Sequence, residues 1–328
     1  MKKQVFGIIA GVLLLAALSV ACSVEGKKEV NVGALKGPTG LGLSHLMEQS
    51  EGGVSKNLYA FCLEGSPDAI VSKIVSKEID IALVPTNLAS VLYNRTEGGV
   101  QIIALNTLGV LYILENGNEI NSIADLNGKT IYSSGQASVP EYVLNYVLAA
   151  NGLVPGVDVI VEYKAEHAEL ATLMAAGEIV LGMLPEPNVT SVMSQNENLR
   201  IALNMTEEWD KACELNGVSD SRLVMGCAIV RSEFAAENKD AVDKFLEEYN
   251  NSIKYANNNH KDVSVLAEKF GILPSAALAE KALPNCNIVY IDGSEMKPIM
   301  SRMLEGLSGF DAKSVGGKLP DESFYYFK

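Results

Sequence analysis

The sequence is poor in the groups on which metal, redox and nucleic-acid chemistry rest. Only three histidines occur in 328 residues, His45, His167 and His260, and no two are spaced as a ligand pair. The five cysteines form no Cys-x-x-Cys, so no metal site and no cofactor is read from them. Positive charge is in deficit: 26 Lys and Arg against 40 Asp and Glu leave a formal −14, which repels nucleic acid and anionic lipid. Aromatic residues make up 6% of the chain, with one tryptophan, so stacking on a flat ligand would have to come from few side chains. No segment is low in complexity and no short period repeats, which excludes a solenoid. No nucleophile beside a base and no carboxylate pair with an evident task is legible, so nothing marks the chain as an enzyme.

What is present begins with a leader. Lys2 and Lys3 precede an apolar run from Val5 to Leu18, shorter than the ~20 residues of a spanning helix. The run ends in Leu18-Ser19-Val20-Ala21-Cys22, small residues directly before a cysteine, which resembles the bacterial lipobox. Residues 1–21 are therefore expected to be a lipoprotein signal peptide, Cys22 the lipidated residue and 22–29 a tether, with an uncleaved anchor helix as the alternative. That places the protein outside the cytoplasm, lipid-anchored on the outer face of the cytoplasmic membrane, at a cell surface or in a periplasm. Without residues 1–21 the formal charge falls from −14 to −16. Acidity does not forbid an anionic ligand, because local donors decide a buried site. The ~300 residues that remain suffice for two compact lobes. Cys62, Cys213, Cys227 and Cys286 are compatible with two disulfides or with four buried free thiols.

The chain is organised around Lys36-Gly37-Pro38-Thr39-Gly40-Leu41-Gly42, where the β-type run Val30 to Leu35 gives way to a helical face of Leu43, Leu46 and Met47. Thr39 reads as an N-cap, and three glycines would let a ligand approach the free N–H groups of the first turn. Similar strand–turn–helix units recur. Asn57 to Leu63 leads through Gly65-Ser66-Pro67 into a helical stripe, and the continuous apolar run Ile79 to Val84 leads through Pro85-Thr86-Asn87. Two adjacent strand-like runs, Val100 to Leu105 and Gly109 to Leu114, break the alternation and read as the chain leaving a first lobe. A second series follows: Lys129 to Tyr132 with Ser133-Ser134-Gly135-Gln136, Val157 to Tyr163 with a helix from Glu166-His167, and Ile179 to Leu184 with Pro185-Glu186-Pro187. Arg222 to Val230 reads as the return crossing. Helices are expected over Ala241 to Ala256, Val263 to Phe270, Ala276 to Ala282 and Met296 to Leu307. In open parallel sheets such turns line the crevice beyond the strands' C-terminal ends.

These residues together resemble a known group, the substrate-binding lipoproteins of bacterial ABC importers with the type II periplasmic-binding-protein fold. The nearest branch binds nitrate, sulfonates, taurine and thiamine precursors. The resemblance is carried by the lipobox, by Val32 to Leu35 with Gly37-Pro38-Thr39-Gly40, and by Ile79-Asp80-Ile81-Ala82-Leu83-Val84. Ile123 to Ile131 and Leu181-Gly182-Met183-Leu184-Pro185-Glu186-Pro187 extend it over the mature chain. It implies an α/β fold of two Rossmann-like lobes joined by two crossover strands, with lobe one from 30–112 and 225–328 and lobe two from 113–224. The ligand would lie between them, faced by Lys36, Pro38, Thr39, Gly65, Ser66, Thr86 and Asn87 from one side. Ser134, Gly135, Gln136, His167, Pro185 and Glu186 would face it from the other. The implied function is capture of a small polar organic ligand (a sulfonate, a carboxylate or a pyrimidine) by a monomer that delivers it to an ABC permease and its ATPase. An exported lyase or dehydratase on the same fold and a surface sensory module are the competing readings. The cysteine-rich motif of the eukaryotic pyrimidine synthases that share the fold is absent.

Individual residues carry two readings each. Glu186, fixed between two prolines, holds a ligand amine or ring N–H, or is a solvated loop charge. His167 faces the cleft or the surface. Trp209 and Tyr112 stack on a ligand or pack in the core. Gly128-Lys129-Thr130 lacks the glycine five positions earlier that a phosphate loop requires.

Overall fold

The computed structural model describes residues 26–219 and 221–328; the leader and the lipidation expected at Cys22 lie outside them. The first strand–helix series is β1 (Glu29–Leu35), α1 (Pro38–Glu51), β2 (Leu58–Glu64), α2 (Pro67–Val75), β3 (Ile81–Pro85), α3 (Thr86–Arg95) and β4 (Val100–Leu108). The second is β5 (Leu111–Asn116), β6 (Thr130–Ser134), α4 (Val139–Ala150), β7 (Ile160–Lys164), α5 (His167–Ala175), β8 (Leu181–Pro185), α6 (Asn188–Met193), β9 (Leu199–Asn204) and α7 (Met205–Leu215). The chain then returns through β10 (Val224–Arg231) and continues as α8 (Ser232–Glu237), α9 (Lys239–Asn258), α10 (His260–Lys269), α11 (Ala276–Ala282), β11 (Ile288–Ile291) and α12 (Gly293–Phe310).

The strands form two sheets, in the orders β11-β4-β10-β3-β1-β2 and β7-β6-β8-β5-β9. In the first, β1 runs parallel to β2 and β3, while β10 lies antiparallel between β3 and β4. In the second, β6 is parallel to β7 and β8, and β5 is antiparallel to β8 and β9. Only Gly109 and Val110 separate β4 in one sheet from β5 in the other, so Leu111 and Tyr112 already pair within the second sheet. The mixed α/β architecture with helices covering two sheets follows from the alternation of strand and helix patterns.

The apolar run Ile81–Val84 shows why the strand sits in mid-sheet. Ile81 and Leu83 pack into the cluster beneath α1 and α9, whereas Ala82 and Val84 join the cluster on the opposite face. Successive side chains point to opposite faces of a strand, so a run buried on both faces must be apolar throughout. The glycines of the opening stretch divide by role. Gly37 takes φ 103° in the turn, but a side chain on Gly40 would meet the Leu35 carbonyl and Ile272, and one on Gly42 would meet Ile253. These two let α1 pack closely on its neighbours rather than admit a ligand, which corrects the reading of three glycines as an approach. Thr39 is not the N-cap: Gly37 is, and the Thr39 hydroxyl donates to the Leu35 carbonyl at 2.9 Å.

Each sheet carries one mostly buried acid–arginine pair. Asp80 meets Arg231 in the first and Glu115 meets Arg200 in the second, both at 2.7 Å. The four cysteines are free thiols; Cys213, Cys227 and Cys286 are buried and Cys62 is half-buried. Among the described residues no helix is long and apolar enough to cross a membrane.

Candidate ligand-binding site

The turns that follow the parallel strands meet around a cavity of about 360 Å³. From the first sheet come Leu35 to Thr39 after β1, Gly65 after β2 and Pro85 at the end of β3, with Thr107, Met225 and Gly226 beneath. From the second come Glu166, His167 and Ala168 at the start of α5, and Pro185 to Asn188 between β8 and α6. Ile272 and Leu273, just past α10, close one side. The two sheets approach closely here: a Cβ built on Gly37 would lie 3.9 Å from the Pro187 ring.

Of the residues expected to face the cleft, Lys36, Pro38, Thr39, Gly65, His167, Pro185 and Glu186 lie on the cavity wall. The others are placed elsewhere, each for a local reason. Ser66 is the exposed residue before α2. Thr86 is buried, its hydroxyl donating to the Val224 carbonyl at 2.6 Å. Asn87 is buried too, its amide donating to the carbonyls of Ser314 and of Ala137 in the other sheet's turn. Ser134 is buried behind His167, sharing a 2.5 Å hydrogen bond with Nδ1, and Gly135 flanks the same ring. Gln136 is exposed. Trp209 is wholly buried and Tyr112 lies in β5 beside the cavity rather than on its wall.

Glu186 is the charged group at the centre of this arrangement. It is 3% exposed. Its two carboxylate oxygens accept from the Thr190 N–H and hydroxyl, each at 3.0 Å. Burial pushes its pKa up and the Thr190 hydrogen bonds oppose that. No lysine or arginine pairs with it among the described residues. Lys36 is exposed at the rim and makes no ion pair among the described residues; the neighbouring Glu64 is paired with Lys73 at 2.8 Å. The starts of α1 and α5 have no side-chain cap, which leaves first-turn N–H groups for an acceptor.

His167 is held neutral. Burial takes its imidazole from 6.5 down to about 4. A base that is neutral when folded but protonated when unfolded favours the unfolded chain as the pH falls. The stabilisation is full above pH 6.5 and is lost toward pH 4, a span on the order of 3 kcal/mol. Glu186, with its pKa raised, acts in the opposite sense and favours the folded chain at low pH. His167→Gln should therefore flatten the acid side of the stability profile, measured as the urea midpoint from pH 7 to pH 4. Ser134 and His167 are not a nucleophile and base for a bound molecule, because Ser134 is 1% exposed behind the ring and off the cavity wall.

Sequence reasoning missed Thr107, Met225-Gly226 and Ile272-Leu273, which reach the cavity only through sheet pairing and helix packing. Gly226 carries a geometric signature. A Cβ there would fall 2.5 Å from Asn106 Oδ1 and 3.0 Å from Thr39 Cγ2. Gly226→Ala is expected to lower stability by about 1–3 kcal/mol, read from urea denaturation, and to weaken ligand-induced thermal stabilisation by displacing Thr39.

Among the described residues no group of side chains is arranged to hold a metal ion. The NMT1/THI5-like family model matches residues 99–262. Among solved structures, an ABC transporter protein from Parabacteroides distasonis is 21% identical, with 92% of this chain and 100% of that one covered and a TM-score of 0.74. The periplasmic aliphatic sulphonate-binding protein SsuA of Escherichia coli is 14% identical over 89% and 94% of the two chains, with a TM-score of 0.70. The periplasmic nitrate-binding protein NrtA of Synechocystis PCC 6803 is 14% identical over 88% and 84%, with a TM-score of 0.61. At these identities the likeness is one of fold. No curated protein matches the chain.

Proposed function

This chain belongs to the NMT1/THI5-like family, and from that premise we propose that it is the substrate-binding component of an ABC importer. It captures a small polar organic molecule in the cavity and passes it to a permease driven by an ATPase. The observation that carries the reading is the cavity itself, walled by strand-end turns of both sheets rather than by one sheet alone. The lobe built on the first sheet (β1–β4, β10 and β11) and the lobe built on the second (β5–β9), whose boundary falls at Gly109-Val110 rather than after 112, shut on the ligand, and the bound ligand favours the closed arrangement by touching both. Wall groups that hold the ligand are Lys36, Pro38, Thr39, Gly65, His167, Pro185 and Glu186. Ser134 and Gly135 support His167 from behind. The protein works as an exported monomer, lipid-anchored through Cys22 on the outer face of the cytoplasmic membrane.

Native mass spectrometry of freshly purified protein tests this reading. A small molecule released on denaturation, whose removal expands the protein in small-angle scattering and whose return compacts it, is the expected result. A ligand-free protein with an invariant scattering profile would overturn it. Palmitate labelling lost in Cys22→Ala tests the anchor separately.

A further inference from the structure

We propose that Asn87 is a latch between the lobes: its side-chain amide donates across the cleft to the Ala137 carbonyl, holds the closed arrangement without touching the guest, and so sets how much of the ligand-free protein is shut. This rests on the receptor reading above but concerns how the lobes close, and it is testable without any ligand.

Asn87 is the second residue of α3, 1% exposed and off the cavity wall. Its Nδ2 has one partner on each side of the cleft. The Ser314 carbonyl, at 3.4 Å, belongs to its own lobe, and the Ala137 carbonyl, at 3.5 Å, to the β6–α4 turn of the other. Turning the amide over would set its oxygen against both carbonyls, so the donor side faces them. The Ser314 bond survives any separation of the lobes and keeps the second N–H aimed across the cleft. Both bonds are longer than the usual N–H···O distance of about 2.9–3.0 Å, so a closer approach of the lobes strengthens the one to Ala137. Asn87 Oδ1 is buried with no partner among the described residues. An amide kept only for packing leaves that acceptor at a cost, which the donor's bonds offset. The opposite side is shaped to meet it. Ala137 is exposed and holds φ 57°, in the left-handed region that alanine seldom occupies, and its N–H donates to the Glu141 carboxylate. That conformation fixes the direction of its carbonyl. Other side chains of the cleft turns bond within their own lobes: Thr39 to Leu35, Thr86 to Val224, Ser134 to His167 and Glu186 to Thr190.

Small-angle scattering and amide hydrogen exchange of the purified protein, freed of small molecules by dialysis, test this. In Asn87→Ala the ratio of shut to open protein should fall roughly two- to tenfold, the net contribution of one hydrogen bond. That appears as a larger radius of gyration and as faster exchange in the turns that follow β1 and precede α5. Ala137→Val, a surface change that disfavours the left-handed turn, should do the same. Ala137→Gly, which suits that turn, should scatter like the parent. The double variant Asn87→Ala with Ala137→Val should open no further than the more open single variant. A purely structural Asn87 would lower the urea midpoint yet leave scattering and exchange of the folded protein unchanged, and that result overturns the latch. So does opening in Asn87→Ala that Ala137→Val does not share, or opening that adds in the double variant. If Asn87→Ala does not fold, Ala137→Val decides alone, and a profile identical to the parent's sinks the proposal. The receptor reading survives all of these failures, because it falls only on the parent's own ligand content and scattering.

Discussion

Truncating Trp209 to alanine is expected to destabilise the protein by about 3–5 kcal/mol, the range for removing a large aromatic ring from a closed core. The indole is fully buried. Its ring lies 4.8 Å from that of Tyr146 on α4, its far edge packs on Gly306 of α12, and its N–H donates to the Ser221 hydroxyl at 3.3 Å. Three helices therefore meet on one side chain. Alanine would leave a void among them, which the small residues at Gly306 and Ala212 cannot fill. Circular dichroism should show a melting temperature lower by roughly 10 °C, while Trp209→Phe loses much less. Because the residue is off the cavity wall, ligand-induced stabilisation of Trp209→Phe should match that of the parent. A selective loss of binding would place the indole at the ligand instead.

Replacing Asp80 by alanine is expected to cost a similar amount, about 3–5 kcal/mol, by another mechanism. One carboxylate oxygen accepts from Arg231 Nη2 at 2.7 Å, the other from the Asn31 backbone N–H at 2.9 Å and from its side-chain amide at 3.3 Å. The Arg231 side chain is 14% exposed and also donates to the Ile79 carbonyl. These bonds tie β1, β3 and β10 together at the end of the sheet opposite the cavity. Alanine would leave a largely buried guanidinium whose remaining carboxylate partner among the described residues is the exposed Glu233, at 3.4 Å. Asp80→Asn should lose less, because the carbonyl oxygen still accepts one of these bonds. In a double-mutant cycle, Asp80→Ala with Arg231→Met should be markedly more stable than the sum of the single losses predicts. Ligand affinity of the folded fraction should not change, since neither residue approaches the site.

The same two positions show how far residue patterns carry. Ile79-Asp80-Ile81 is readable as the entry to a strand buried on both faces, but the partner of Asp80 lies 151 positions away and carries no local mark. Trp209 belongs to a helix that did carry a signal. Asn204 caps it, accepting from the Thr206 N–H and donating to Glu207 at 3.0 Å, and Met205, Trp209, Ala212 and Cys213 repeat at helical spacing. Long helices were foreshortened where their ends are polar. The run expected over Ala241 to Ala256 spans Lys239–Asn258, and that over Met296 to Leu307 spans Gly293–Phe310. Hydrophobic spacing marks only the part of a helix that touches the core.

By itself the sequence determined the alternation of strand and helix, the two series of βα units and the turns that end them, because period and turn chemistry are local properties. It also singled out Lys36, His167 and Glu186 as polar groups within those turns. Tertiary structure alone decided which of them share a wall. Sheet order brings β1, β3 and β10, and with β10 Gly226, side by side, and helix packing carries Ile272 to the same cavity from a distant part of the chain. Whether a turn residue is open to a ligand depends on what its side chain already bonds: Thr86, Asn87 and Ser134 are engaged with the protein, and Glu186 keeps capacity toward the cavity. That distinction is a matter of three-dimensional neighbours, to which residue type and spacing are blind.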